Sequence, residues 1–373
     1  MNSRRPWFHW TLLAAALLVL APASSRAEIP LSLYGDIDYK YTKDQTGASS
    51  FSVPRVELFY SGNYDRLSYL AEVMFEAANN AYTFDIERVQ LTYTFADWAR
   101  ISAGRFHTSI GYYNDAFHHG YYFVLTTERP TAVDFEDSNG LIPAHLVGLQ
   151  ADGRIRLGDN LAIRYDAEVG NGRGNPGEVT LQFARHLEPA MNFRLRFEPG
   201  GALDGLLIGG NIYHDQIPTL AGSIVYPMRE LILGAHAAYF ENNIHFVAEY
   251  MWIQHQEFDG GTNTYKTNAF FAELGYTLKD AWTPYVRYEN TKFGSTPDPF
   301  FTAEAVVDSG GNAAPNDLGP DRGSYQRGTI GVRYIFNEHV ALKVEGQLQY
   351  FSDAVSAGRT TVYTAKTQIA VAF

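Results

Sequence analysis

Four residues that could bind a metal lie close together in the chain: His107, Asp115, His118 and His119. Imidazoles and a carboxylate suit zinc or copper. In an extended segment, however, the adjacent His118 and His119 point to opposite sides, so only one of them joins His107 easily. Hydrogen-bonded histidines in an aromatic-rich loop account for the same residues, and no metal site is assigned. Asp308, Asn312, Asn316, Asp317 and Asp321 offer oxygens of the kind calcium takes. Their spacing follows no regular ligand pattern, and an acidic surface loop explains them. Ser109 or Ser138 with His119 comes nearest to a nucleophile and its base. No nucleophile elbow, zincin motif or phosphate loop occurs. There is no cysteine, which excludes disulfides, zinc-thiolate sites, cysteine nucleophiles and a lipoprotein anchor. No catalytic residue and no cofactor is expected.

The remaining chemistry is electrostatic. Arg154, Arg156, Arg164, Arg194 and Arg196 fall on the polar side of neighbouring alternating segments, and Arg55, Arg88 and Arg100 can add to them. Between Gly104 and Pro143 a long segment carries Asp115, Glu128, Asp134, Glu136 and Asp137 against Arg105 and Arg129. If that segment folds inward, Asp134, Glu136, Asp137 and Arg129 would face Arg154, Arg164, Arg194 and Arg196 across the narrowest point. An acidic loop opposite a basic wall sets a transverse field, which low-dielectric walls strengthen. The alternative is structural: the arginines pair with carboxylates such as Glu57, Asp166 and Glu168 and stiffen the wall.

Such charges need strands to hold them. Leu31, Leu33, Ile37, Tyr39 and Tyr41 alternate with Ser32, Asp36, Asp38 and Lys40. Val89 to Phe95, Leu161 to Val169 and Val340 to Tyr350 behave likewise, each a segment of about ten residues with period two. The links alternate in length. Short ones fall at Asn63–Asp65, Ala96–Trp98, Glu241–Asn243 and Asn337–His339; long ones at Lys43–Ser50, Thr108–Pro143, Thr291–Ser324 and Ser352–Thr361. About sixteen strands fit, with Asn171–Pro189 ambiguous. Aromatics stand where apolar faces meet turns, as an interfacial girdle requires. The segment Val362–Phe373 places Phe373, Val371, Ile369 and Thr367 on one face and Lys366 and Gln368 on the other.

Residues 1–27 have the layout of a cleavable secretory signal: Arg4 and Arg5, an apolar run from Trp10 to Ala21, and small residues before Glu28. Its removal takes away Arg4, Arg5 and Arg26, so a net charge of −12 becomes −15. That acidity argues against nucleic acid and anionic lipid surfaces as partners. Beyond Ala27 no apolar stretch reaches the ~18–20 residues of a membrane helix. Yet the chain holds 25 Tyr and 24 Phe.

The stretch from Gly104-Arg105-Phe106-His107-Thr108 through Gly111-Tyr112-Tyr113-Asn114 to Arg129-Pro130 resembles the third loop of bacterial outer-membrane porins of the phosphate-selective superfamily. The strand ending on Phe373 resembles the closing strand by which the barrel-assembly machinery recognises such proteins. The resemblance implies an all-β, transmembrane antiparallel β-barrel over residues 28–373, with short periplasmic turns, long extracellular loops and an inward-folded third loop (104–143) forming the constriction. It implies a homotrimer in the outer-membrane lipid that passes small hydrophilic solutes. The lysine cluster and arginine ladder of phosphate-specific members are absent, which leaves anion specificity unsupported. Two other functions compete: a secreted or periplasmic soluble β-protein binding carbohydrate, and an outer-membrane barrel enzyme.

Overall fold

The computed structural model describes residues 31–43, 48–78, 81–117, 120–134, 140–175, 178–179, 188–219, 224–296, 298–302, 306–307, 313–314, 324–351 and 361–373. The expected leader, His118, His119, Glu136, Asp137, Ser138 and most of the 308–321 acidic segment lie outside them.

Sixteen antiparallel strands form a closed barrel. They are β1 (Leu31–Lys43), β2 (Ala48–Ser52 and Arg55–Tyr64), β3 (Leu67–Ala78), β4 (Ala81–Ala96), β5 (Ala99–His107), β6 (His145–Arg156), β7 (Leu161–Asn171) and β8 (Ala190–Pro199). The circuit continues with β9 (Leu206–Ile217), β10 (Met228–Tyr239), β11 (Ile244–Glu257), β12 (Thr264–Tyr276), β13 (Trp282–Phe293), β14 (Tyr325–Asn337), β15 (Val340–Phe351) and β16 (Thr361–Ala372). Pro54 explains the break in β2, because proline has no N–H to give the ladder. Each strand pairs with its sequence neighbour, and β16 pairs with β1 from Tyr34↔Ala372 to Lys43↔Tyr363. At that seam Leu33 N donates to Phe373 O at 2.7 Å, and Phe373 N donates back to Leu33 O at 2.8 Å. His339 stacks on the Phe373 ring, 5.0 Å away and 11° from parallel.

The alternation resolves with its apolar side outward. Leu33, Ile37, Leu91, Ile212, Tyr250, Leu348 and Ile369 are exposed on the outer face, while Asp36, Glu57, Arg194, Glu249, Lys343 and Gln368 are buried inside. A soluble sandwich buries the opposite face. Closure pairs the backbone of every strand, as lipid demands. Among the described residues no helix is long and apolar enough to cross a membrane.

The short links use backbones that Asn and Asp tolerate. Asn242 and Asn243 both have positive φ (54° and 63°), the pattern of a tight hairpin turn, and Asp65 and Asp280 are also left-handed. One link expected to be long is shorter: strand resumes at Ala48, ahead of the expected Lys43–Ser50 loop end. Only residues 79–80 separate β3 from β4. The Asn171–Pro189 stretch contributes a small hairpin, Arg173–Asn175 with Glu178–Val179, off the main wall.

Candidate functional site

The chain between β5 and β6 turns into the barrel. Its described residues include a short helix, α1 (Tyr113–Ala116), and a 3-10 turn, Thr131–Val133. Its apolar residues Ile110, Tyr113, Val124, Val133, Leu141 and Ile142 are buried against inward Tyr213, Met251, Ile253 and Phe271. The Tyr113 and Phe271 rings meet edge to face at 5.6 Å. The main apolar cluster is thus the loop itself, packed inside the wall.

An irregular backbone in that position must find partners for its own N–H and C=O groups. The wall supplies them by charge. Inward carboxylates accept loop N–H groups: Glu168 from Ser109 at 2.9 Å, and Glu249 from Tyr112 at 2.9 Å and Tyr113 at 2.5 Å. Glu289 accepts from Thr131 at 2.8 Å, Glu345 from Thr127 at 3.0 Å and Glu57 from Gly120 at 3.0 Å. Inward cations donate to loop carbonyls. Arg194 reaches Gly111 O at 2.7 Å, Arg287 reaches Glu128 O at 2.8 Å, and Arg333 reaches Tyr122 O at 2.5 Å. Lys343 bonds Thr126 O at 2.8 Å and also Tyr121 O. Charged partners make these stronger than neutral hydrogen bonds. Gly111 is required here: its φ is +71°, and a Cβ would strike the Glu249 carboxylate.

The expected site residues separate into groups. Arg129 is buried within the loop, donating to Val133 O, Phe117 O and Asn114 Oδ1 and so bracing the loop from inside. Arg194 is wholly buried and holds Asp115 through two bonds of 3.1 and 2.6 Å, with Asp166 at 2.8 Å on its other side. Arg154 and Arg164 share Glu198, and with Arg196 they line a cavity of about 760 Å³ at the short-turn mouth. A second cavity there, about 400 Å³, adds Arg100 paired with Asp152. Asp134 is not among them. Its charge acts on Tyr121, whose hydroxyl takes Arg55 from β2, far round the wall from β6–β8.

Among the described residues the loop acid that meets the arginines of β8 is Asp115, while Glu128 pairs with Lys366 of β16 and lies 3.7 Å from Arg327 of β14. Burial pushes the Asp115 carboxyl up, but the charge and hydrogen bonds of Arg194, with Arg196 beside it, prevail and hold it below the usual 3.8. From the far side Asp115 borders a cavity of about 150 Å³ with Tyr34, Phe59, Arg88 and His107. Sequence reasoning missed Arg287, Arg333, Lys343 and Glu249 as loop anchors. Their one visible signal was a charge on the polar side of a strand. Ser109 is buried, its hydroxyl 3.3 Å from Gln150 Nε2. Among the described residues no cluster of three or more metal-ligating side chains occurs.

No protein-family model matches the chain, and no curated protein matches it in sequence. Solved structures match in fold. The anion-selective porin from Comamonas acidovorans aligns with a TM-score of 0.59 at 12% identity, over 92% of this chain and 99% of that one. The outer membrane channel DcaP of Acinetobacter baumannii aligns at 0.58 and 12% identity, over 95% and 100%. OmpT, an outer membrane protein of Vibrio cholerae, aligns at 0.56 and 11% identity, over 92% and 97%. At these identities the likeness is one of fold, and this chain folds as a porin-like barrel.

Proposed function

We propose that this chain is an outer-membrane channel for the passive diffusion of small hydrophilic solutes or ions. The observation that carries this reading is the inside-out wall: apolar side chains face outward and charged ones inward, around an inward loop beside which cavities of about 760, 400 and 150 Å³ open. In this reading the leader directs export and is removed, the long loops face outside, and the barrel-assembly machinery reads the strand ending at Phe373. A homotrimer is part of the proposal. So is kinship with the phosphate-selective porins, which rests on the Gly104–Pro130 stretch. No residue is assigned a catalytic role.

Solutes pass between the arginine-lined mouth and the space beside Asp115. Arg154, Arg164 and Arg196 set the field at the mouth, and Asp115 opposite Arg88 sets it at the narrowest point. Arg129 and Arg194 shape the passage by holding the loop. Asp134, Glu136 and Asp137, the acids expected at the constriction, stay part of the proposal as further loop charge along the passage. Purified protein in planar bilayers should give discrete conductance steps with measurable ion selectivity. A folded barrel that inserts but never conducts would overturn the reading.

A further inference from the structure

On the outer wall, near the long-loop rim, lies a hollow of about 700 Å³. Register places its outward lining in two cross-strand rows over β14, β15, β16 and β1, on either side of the row Arg287, Thr329, Gln347 and Thr364, which has the opposite parity. The lower row is Ile330, Gly346, Ala365 and Tyr41; the upper is Gly328, Leu348, Tyr363 and Lys43. Gly328, Gly346 and Ala365 form the floor, and the exposed Ile330, Leu348, Tyr363 and Tyr41 stand round it.

Nothing among the described residues demands glycine at the two floor positions. Neither has a positive φ, no bulge falls beside them, and an added Cβ would meet nothing within 4 Å at either. Gly331, by contrast, has the Tyr285 hydroxyl against it. Glycine inside a strand weakens it, and where no bulge or bend requires it, it marks the close approach of something else. The charge at this rim says what approaches. Lys43 borders the hollow, and Arg229, Lys266 and Lys292 stand exposed on the outer face at the same end of their strands, alternating with buried neighbours. These outward cations stand on a chain of net charge −12. A belt of cations at an apolar wall suits lipid phosphates.

We propose that the hollow is a lipid site: one acyl chain of a phosphate-bearing membrane lipid lies over Gly328, Gly346 and Ala365, with its phosphate on Lys43. The site rests on the membrane placement proposed above. The test is native mass spectrometry of the purified chain in detergent, titrated with dimyristoyl phosphatidylglycerol or with dimyristoylglycerol, which lacks phosphate. The phospholipid should be retained about fivefold more than the diacylglycerol, and Lys43→Gln should erase that difference. Gly328→Leu with Gly346→Leu should lower retention of both about tenfold, with the heat-modifiable gel shift reporting that the barrel is folded. Unchanged phospholipid retention in Lys43→Gln, or in the folded double variant, overturns the proposal. So does a double variant that loses oligomers and keeps its lipid, which gives the hollow to a second copy of the chain. A double variant that still conducts in bilayers and still holds lipid refutes the site alone and leaves the channel reading standing.

Discussion

Arg194 and Arg196 stand two residues apart on β8 and point into the same lumen, yet they do different work. Arg194 is fully buried, and its donors are committed to Asp166, Asp115 and Gly111 O. Arg196 lines the mouth cavity, 3.4 Å from Asp166, and keeps part of its side chain exposed, although its Nε is buried with no hydrogen-bond partner among the described residues. The difference is depth along the strand relative to the loop. Where the loop crosses, a cation becomes an anchor for backbone; one pleat repeat nearer the short turns, the same residue type is partly exposed and borders a cavity. Charge in this lumen therefore has two uses, and exposure separates them.

Substitutions at the two depths should differ in size and in kind. Arg194→Ala or Arg287→Ala strands buried carboxylates, a loss of about 3–5 kcal/mol. Thermal unfolding should drop, and the conductance step should grow and become noisy as the loop lifts. A quiet channel of unchanged size would break the distinction between anchor and mouth. Glu249→Gln keeps the shape but removes the charge that accepts two loop N–H groups, at a cost of about 1.5–3 kcal/mol. Hydrogen exchange should accelerate at Tyr112 and Tyr113 and stay slow in β11.

The pair at Asp115 allows a pH test. A carboxyl whose pKa is lowered on folding contributes stability above its unfolded value, and that contribution is lost as pH falls through the folded value. With Asp115 held below 3.8, the wild type and Asp115→Asn should differ in selectivity from neutral pH down to about that value. They should converge only below it. Convergence above about pH 5 would mean that Arg194 does not hold this carboxylate.

The smallest stability effect belongs to the mouth. Arg164→Gln or Arg196→Gln should cost no more than about 1 kcal/mol, as for partly solvated pairs, while moving the reversal potential toward cations. Neutralising Asp134, Glu136 and Asp137 together should move it less than Asp115→Asn does. If the order is reversed, the narrowest point lies on the Asp134 side of the loop.

The wall was legible in the sequence because period two is a local property. Leu33 and Asp36, or Val344 and Glu345, declare opposite faces without reference to the rest of the chain. Which face turns outward was not local, and it needed aromatics and link lengths to argue it. The loop anchors were not legible. Glu249 lies 137 residues from Tyr112, and Glu345 lies 218 from Thr127. These partners depend on the register of every strand between them. Asp134, Glu136 and Asp137 stood out as a cluster; of the three only Asp134 is among the described residues, and it lies by Tyr121. Asp115, a single acid among aromatics, gave no comparable signal.

The loop's partners come from β2, β7, β8, β11, β13, β14 and β15, nearly the whole circumference. No arc of the wall alone can seat it, since each arc offers only part of the acceptors and donors its backbone requires. The narrowing therefore has its full set of partners only when the strands have come full circle. A conductance set by this loop is a timestamp of completed assembly: an incompletely zipped barrel would leak widely, and a tight one has its β1–β16 seam shut.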